Sequence, residues 1–240
     1  MGHSNKPTQV LFLGGSELQQ GQDKISARRV DRVAHLIAEL TRDSNAAVMC
    51  GLKEQIGLDG EASAVEYSSR LGEVRQDVSR MLWSALRRYF SENRLWRQIS
   101  CDDSNVLVDS EGRPQEIKRI DTIRDQVRDG WLHFCCFGGG VPVCDVDGDN
   151  EIYDIFSRRR VDHALSNSVV SEDFEDETFN LLLEGLNPDL VFVVREGLLV
   201  QDEQWLERFK KIDAMVVVGS IRGLENYLDG DSSEVTVIQS

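Results

Sequence analysis

The sequence predicts an α/β protein whose sheet is covered by helices on both faces. Three observations support this prediction. Short apolar segments alternate with longer amphipathic ones along the 240 residues. The apolar segments are nearly uninterrupted runs of valine, leucine, isoleucine and phenylalanine, which is typical of strands buried on both faces. Two of these segments, at 10–13 and 131–136, run directly into glycine turns.

The predicted elements follow one another in a regular order. The predicted strands are short and apolar, and they lie at 10–13, 46–50, 131–136, 141–144, 151–156, 190–194, 214–218 and 234–238. The predicted helices are amphipathic, and they lie at 24–42, 64–93, 116–129, 173–186, 204–211 and 222–228. Residues 99–108 are interpreted as strand-like or irregular and residues 109–114 as a turn.

Apolar spacing and turn residues justify these bounds. In the first helix Val30, Val33 and Ile37 fall on one face, and the 64–93 region has the same pattern and is interpreted as two helices. Gly130 is expected in the left-handed conformation that ends a helix. A polar turn at 145–150 predicts a β-hairpin. Without an internal repeat or linker, we expect a single domain over 1–240.

Charge and composition exclude several function classes. A net charge of −15 argues against nucleic acid and anionic membranes as partners. No apolar run approaches the roughly 20 residues of a membrane span, and the start of the chain lacks the pattern of a signal peptide. We therefore expect a cytoplasmic protein.

Metal binding has little support in the sequence. The five cysteines include no CxxC pair, so buried reduced thiols are the simpler interpretation. Asp145, Asp147 and Asp149 alternate as in a calcium loop, but Phe156 stands where that loop needs a bidentate glutamate. We interpret this segment as a polar hairpin turn and predict no metal site.

The glycine turns are the main candidate for a functional site. Gly138, Gly139 and Gly140 follow one apolar strand, and Gly14 and Gly15 follow another. Glycine lets the backbone approach an anion closely, and successive N–H groups can form a nest for phosphate or carboxylate. A plain tight turn is the alternative for each motif, and the recurrence of the design favours an anion cleft.

The order of these motifs resembles carbamate kinase, a member of the amino-acid kinase superfamily. That family opens with a strand and a Gly-Gly-Asn-Ala-Leu turn, which Gly14-Gly15-Ser16-Glu17-Leu18 resembles. Its His-Gly-Asn-Gly-Pro-Gln-Val-Gly and Gly-Gly-Gly-Gly-Ile-Pro-Val turns are similar to 50–57 and 137–143, and its Ile-Asp-Lys-Asp-Leu-Ala helix start is similar to 161–166. The resemblance covers nearly the whole chain.

This resemblance implies a fold, an activity and a site. The fold would be a three-layer α/β/α sandwich with a mainly parallel sheet, and the protein would be a homodimer. Such an enzyme transfers phosphate between ATP, bound with Mg²⁺, and carbamate, using glycine N–H groups and lysines to stabilise the transferred group and a carboxylate to place those lysines. The implied phosphate- or substrate-binding residues are Gly14, Gly15, Ser16, Gly51, Gly138, Gly139, Gly140 and Arg160.

The chain departs from the family where catalytic charge is expected. The family's Lys-Asp pair falls on His163 and Ala164, and an Asn and a Gly of its second turn fall on Leu52 and Lys53. Histidine is mostly neutral at pH 7 and is shorter than lysine. The Gly-Ser-Met-x-Pro-Lys segment that grips the nucleotide is missing between 195 and 213, and the family's lid subdomain is reduced or absent.

Two main hypotheses follow from these departures. In the first, the chain is a degenerate carbamate-kinase-like protein, a pseudokinase that acts as a ligand-binding, regulatory or assembly subunit. A small anionic metabolite or an active paralogue would be its partner, and a metabolite sensor is a related idea. In the second, it is an active ATP-dependent kinase in which Lys53, His163 and one of Arg158–Arg160 supply the charge. The alternatives for His163 and Arg158–Arg160 are a helix-capping side chain and a solvated basic edge.

Overall fold

A computed structural model shows the architecture of the chain. It describes residues 6–19, 25–52, 63–92, 98–102, 104–143, 171, 173–195, 209 and 212–239. Within those ranges, no helix is long and apolar enough to cross a membrane. The predicted hairpin around 145–150 and the short helix predicted at 204–211, except Phe209, lie outside the described residues.

Two sheets contain all ten strands of the described part. The strands are β1 (Thr8–Leu13), β2 (Asn45–Cys50), β3 (Ile99–Cys101), β4 (Asn105–Val108), β5 (Pro114–Ile117), β6 (Leu132–Cys135), β7 (Val141–Val143), β8 (Leu190–Val194), β9 (Met215–Gly219) and β10 (Val235–Ile238). The main sheet has seven strands in the order β10-β9-β8-β1-β2-β6-β3. Its strands are parallel except β10, which pairs antiparallel with β9. This confirms the predicted α/β class with a mainly parallel sheet.

The central strands are buried along nearly their whole length. Every residue of β2 and β6 is buried, as are five of the six residues of β1 and four of the five of β8. Strands with uniformly buried residues must be covered on both faces, since successive side chains point to opposite sides of a sheet. The uninterrupted apolar runs of the sequence were therefore a sound guide to these strands.

A smaller three-stranded sheet differs from the sequence prediction. It has the order β5-β4-β7, and residues 99–108 contribute one strand to each sheet. The predicted helix at 116–129 begins later, at Ile120, because Glu116 and Ile117 pair with β4. Asp109 closes the hairpin between β4 and β5. Its Oδ1 accepts hydrogen bonds from the N–H groups of Glu111 and Arg113.

Five α-helices connect the strands in the described part of the chain. They are α1 (Ala27–Leu40), α2 (Ala64–Glu92), α3 (Ile120–Arg128), α4 (Phe174–Leu186) and α5 (Ile221–Leu228). The prediction of two helices at 64–93 is wrong, because α2 is continuous over 29 residues. Leu71, Val78, Leu82 and Leu86 keep one buried face along it, and the segment contains no proline. Gly130 follows α3 with φ +87°, as predicted for a left-handed helix end.

Helices lie on both sides of the main sheet. On one side α1 packs against α2 and α5, and on the other α3 packs against α4. The chain moves along the sheet in one direction from β1 through α1 to β2, and in the other direction through α4 to β8. Because parallel crossovers are right-handed, these two helices lie on opposite faces of the sheet. The strand order therefore reverses between β1 and β8, and ligands of open α/β sheets bind at the carboxyl ends of strands at such a point.

Candidate active site

Gly14 lies where the strand order reverses. Its N–H donates to the carbonyl oxygen of Val194 at 2.8 Å, which joins the ends of β1 and β8. A Cβ on Gly14 would lie 3.2 Å from that oxygen and 3.3 Å from Cγ of Arg195, so the close approach of the two strand ends favours glycine here. The half-buried side chain of Arg195 packs with its Cγ beside the first glycine turn.

The second turn contacts the first. Gly51 follows β2, and its N–H donates to the carbonyl oxygen of Leu13 at 2.8 Å. A Cβ on Gly51 would lie 3.4 Å from the backbone nitrogen of Gly15 and 2.9 Å from Oε2 of Glu175. Ser16, in the 3₁₀ turn Gly15–Leu18, accepts a hydrogen bond at its carbonyl oxygen from Arg29 Nη1 at 3.0 Å. The structure therefore brings the predicted residues 14–16 and 51 to one edge of the sheet.

The carboxylate of Glu175 lies between the second and third turns. Oε1 of Glu175 accepts a hydrogen bond from the N–H of Leu52 at 2.7 Å. The same oxygen would be 3.5 Å from a Cβ on Gly138, and Cα of Glu175 would be 3.2 Å from a Cβ on Gly139. Sequence reasoning missed this residue. The only signal was the acidic run Glu175-Asp176-Glu177 at the start of α4, which is also an ordinary helix beginning.

The third turn is closed on itself. Cys136, Gly138, Gly139 and Gly140 all have positive φ, and the N–H groups of Gly139 and Gly140 donate to the carbonyl oxygens of Cys136 and Phe137, both at 3.0 Å. Glycine is required here by both conformation and space, because a Cβ on Gly139 would lie 2.5 Å from the ring of Phe174. These two N–H groups are thus engaged within the turn, and a ligand-binding role for the three glycines stays a prediction.

The surroundings of the Glu175 carboxylate disfavour further negative charge. The hydroxyl of Tyr67 donates to the carbonyl oxygen of Gly138, and burial followed by the charge of Glu175 raises the Tyr67 pKa well above its usual value. Burial also raises the pKa of the Cys50 thiol, with smaller contributions from Cys101 and Glu175. Both groups are therefore neutral at physiological pH beside the Glu175 carboxylate.

Several predicted site residues cannot be placed against this geometry. Lys53, Arg158–Arg160, His163 and Ala164 lie outside the described residues. Among the residues that are described, no three His, Cys, Asp or Glu side chains form a cluster suited to a metal ion. The described part of the candidate site therefore consists of three glycine turns, the side chain of Arg195 and the carboxylate of Glu175.

The fold and these turns define a class of protein: an open α/β/α fold with glycine turns at the carboxyl ends of its parallel strands. Comparison with solved structures identifies the class as the amino-acid kinase fold. Carbamate kinase from Giardia lamblia bound to AMP-PNP has a TM-score of 0.71 and 17% identity, with 99% of this chain and 100% of that chain covered. No protein-family model matches the chain, and no curated protein matches it by sequence.

Two further solved structures show the same fold. An isopentenyl phosphate kinase matches with a TM-score of 0.61 and 15% identity, over 97% of this chain and 100% of that one. UMP kinase from Ureaplasma parvum matches with a TM-score of 0.56 and 9% identity, over 98% and 100%. The resemblance predicted from the sequence is confirmed at the level of the fold.

Proposed function

We propose that this chain is a carbamate-kinase-like protein with a degraded phosphotransfer site, which serves as a ligand-binding, regulatory or assembly subunit. Phosphoryl transfer depends on N–H groups and cations that point at the transferred group. The observation that carries the proposal is the closed hydrogen bonding of the third glycine turn. Its Gly139 and Gly140 N–H groups are bonded to Cys136 and Phe137 within the turn.

The charge of the described part of the site supports the same proposal. The carboxylate of Glu175 lies beside the second and third turns, and the lysine that would neutralise a transferred phosphoryl group there falls on His163 in the sequence. Loss of one stabilising group from such a site typically lowers kcat by about 10²–10³. Several departures together, including those expected at Leu52 and His163, would leave little catalysis, although such effects are not additive.

An active kinase is the second candidate, and Arg195 is the observation that favours it. Its side chain borders Gly14 at the reversal of strand order, where a nucleotide phosphate would meet it. The Giardia carbamate kinase has AMP-PNP bound on the same fold. In this alternative, Lys53, His163 and Arg160 would join Arg195 in neutralising the phosphates of Mg-ATP.

Calorimetric titration with Mg-ADP and Mg-ATP, followed by an assay of ATP formation from carbamoyl phosphate, separates the two candidates. The degraded-site proposal expects no turnover by the wild-type protein. Turnover that is lost in Arg195→Ala but kept in the matched surface variant Arg222→Ala would establish the active kinase instead. Sedimentation of the same protein tests the expectation of a homodimer. Localisation of the tagged full chain in cells tests the expected cytoplasmic location.

A further inference from the structure

A cavity of about 390 Å³ opens between the exposed faces of α1 and α2. Four residues from one face of α1 and two from α2 provide most of its described lining, and they are Arg28, Asp31, Arg32, His35, Arg88 and Tyr89. Ala85 also lines it, and this short side chain leaves the space between the helices open. None of these residues belongs to the glycine turns. Small-molecule sites typically measure about 300–1,000 Å³, so the cavity has room for a small organic molecule.

Positive charge exceeds negative charge around this cavity. In the described lining, three arginines face one carboxylate, that of Asp31. A second carboxylate, that of Glu225 on α5, accepts hydrogen bonds from Arg32 Nε and Nη2 at 2.9 and 2.5 Å. Three positive charges against two negative ones leave an excess of one positive charge, with His35 counted as neutral. This excess stands out on a chain whose net charge is −15, and it favours an anionic ligand.

Arg28 and Arg88 hold the donors that a ligand can reach. Arg28 lies in the first turn of α1 and makes no hydrogen bond or ion pair within the described part of the chain. Arg88 pairs with Asp31 through Nη2, and both side chains of that pair are 59% exposed. An exposed ion pair contributes little to stability, so a ligand can share or displace it at small cost. The planar N–H fork of arginine matches the oxygens of a phosphate group.

Tyr89 adds an aromatic surface beside these arginines. Its hydroxyl donates to Oε1 of Glu39, and the ring of His35 packs edge-on against it with centroids 5.0 Å apart. Burial, followed by the hydrogen bond with Glu39, raises the Tyr89 pKa, so the hydroxyl is neutral at physiological pH. The charge of Glu39 is balanced by Arg42 at 2.6 Å. The two rings therefore offer contact to an apolar group next to the cationic side chains.

We propose that this cavity is a binding site for a small organic phosphate. Arg28 and Arg88 donate hydrogen bonds to the phosphate oxygens, and the organic part of the ligand lies against Tyr89 and His35. The site is additional to the glycine turns. It does not depend on the proposed function, because its residues keep their places whether or not the chain transfers phosphate.

Three substitutions of exposed residues test the site, with phenyl phosphate as the probe and calorimetry at constant ionic strength as the measurement. Arg28→Gln should bind the probe at least about tenfold more weakly than the wild type, or about 1.4 kcal/mol. Asp31→Asn removes the competing carboxylate and should bind at least about threefold more tightly. Arg87→Gln is the matched control, because Arg87 is exposed beside Arg88 but does not line the cavity, and it should bind as the wild type does. Equal affinity in all four proteins, or no binding by the wild type, would overturn the proposal.

Amide NMR of the wild-type protein locates the bound probe without any substitution. Phenyl phosphate should cause saturable shifts at Arg28, Arg88 and Tyr89 and leave the Gly51 and Gly138 signals unchanged. Shifts confined to the glycine turns would overturn the proposal. Inorganic phosphate should bind more weakly than phenyl phosphate, and equal affinity would contradict the contact with the aromatic rings.

These outcomes are separate from those of the proposed function. ATP formation by the wild type, together with probe binding in the cavity, would sink only the proposed function. Absent turnover without binding in the cavity would sink only the site between α1 and α2.

Discussion

The backbone N–H of Leu52 and the carboxylate of Glu175 are joined by a 2.7 Å hydrogen bond that links the loop after β2 to the first turn of α4. A second link runs from Tyr67 in α2, whose hydroxyl donates to the carbonyl oxygen of Gly138. The Tyr67 ring also packs edge-on against Phe174, with ring centroids 5.5 Å apart. These contacts thus join α2, α4 and the second and third glycine turns to one another.

Tyr67→Phe tests the link between α2 and the third turn. The substitution keeps the ring contact with Phe174 and leaves the buried carbonyl oxygen of Gly138 without this donor. We expect the free energy of unfolding, measured by urea denaturation, to fall by about 1–3 kcal/mol. Tyr227→Phe serves as a control. Among the described residues, the Tyr227 hydroxyl donates no hydrogen bond to a buried carbonyl oxygen. An equal effect of both variants would contradict the proposed link.

Gly139→Ala tests the packing of the third turn. Gly139 has φ +87°, and a Cβ there would lie 2.5 Å from Phe174. Backbone strain of about 1–2 kcal/mol and overpacking of about 1–3 kcal/mol both lower stability. Gly230→Ala is the control, since Gly230 has φ +93° but nothing within 4 Å of the added atom. Thermal and urea unfolding should show a clearly larger loss for Gly139→Ala, and comparable losses would contradict the packing argument.

The sequence predicted the main sheet well because its signal is local. Apolar runs such as 190–194 are buried strands whatever they pair with, and Gly130 ends a helix through its own conformation. The small sheet was missed because its pairing depends on distant segments: β4 pairs with both β5 and β7. The two-helix interpretation of 64–93 was wrong because a single buried face runs without a break along α2.

The candidate site shows the same division between local and distant information. Gly14 and Gly138 were predicted because each follows an apolar strand in the sequence, and Gly51 because the turn at 50–57 resembles the family's second turn. Glu175 was not predicted, since an acidic first turn is common in helices and its contact with Leu52 requires the whole fold. The closed hydrogen bonds of the third turn likewise depend on backbone conformation, which a triple glycine leaves undetermined.

Cysteine reactivity should follow burial. Cys101 is exposed, whereas Cys50, Cys135 and Cys136 are buried. The Cys135 pKa is raised well above its usual value by a hydrogen bond with Cys136 and by burial, so its reactive thiolate is scarce. We expect iodoacetamide at neutral pH to label Cys101 in the folded protein and to spare these three buried thiols, as read by peptide mass spectrometry. Labelling of Cys50 at the same rate as Cys101 would contradict the burial of Cys50 at the end of β2.

His133 should make stability depend on pH. Burial lowers the pKa of this β6 side chain from 6.5 to about 4, and the charge of Asp102 offsets only part of the shift. Between these two values the unfolded chain binds more protons than the folded one, so this contribution to stability is present above pH 6.5 and is lost as pH falls toward 4. The loss amounts to about 3 kcal/mol, since each pKa unit corresponds to about 1.4 kcal/mol.

Urea unfolding between pH 4 and 7 measures this effect. The His133→Gln protein should show a flatter dependence of stability on pH than the wild type, while the exposed-site control His35→Gln should keep the wild-type steepness. Identical slopes in wild type and His133→Gln would show that His133 does not carry the effect.

Gly185→Ala tests how closely α3 and α4 approach. A Cβ on Gly185 would lie 2.4 Å from Cγ1 of Ile120, and the Gly185 carbonyl oxygen accepts hydrogen bonds from Arg124 Nε and Nη2 at 2.8 and 2.6 Å. Alanine is favoured over glycine inside a helix by about 1 kcal/mol, yet overpacking costs about 1–3 kcal/mol, so we expect a net loss of stability.

A double-mutant cycle with Ile120→Ala separates these two effects. Removing the Ile120 side chain makes room for the new methyl group, so Gly185→Ala should become stabilising in that background. Chemical denaturation of the four proteins gives the coupling energy between the two sites. A coupling near zero would mean that the helices do not approach as closely at Gly185 as the structure indicates, because independent sites simply add.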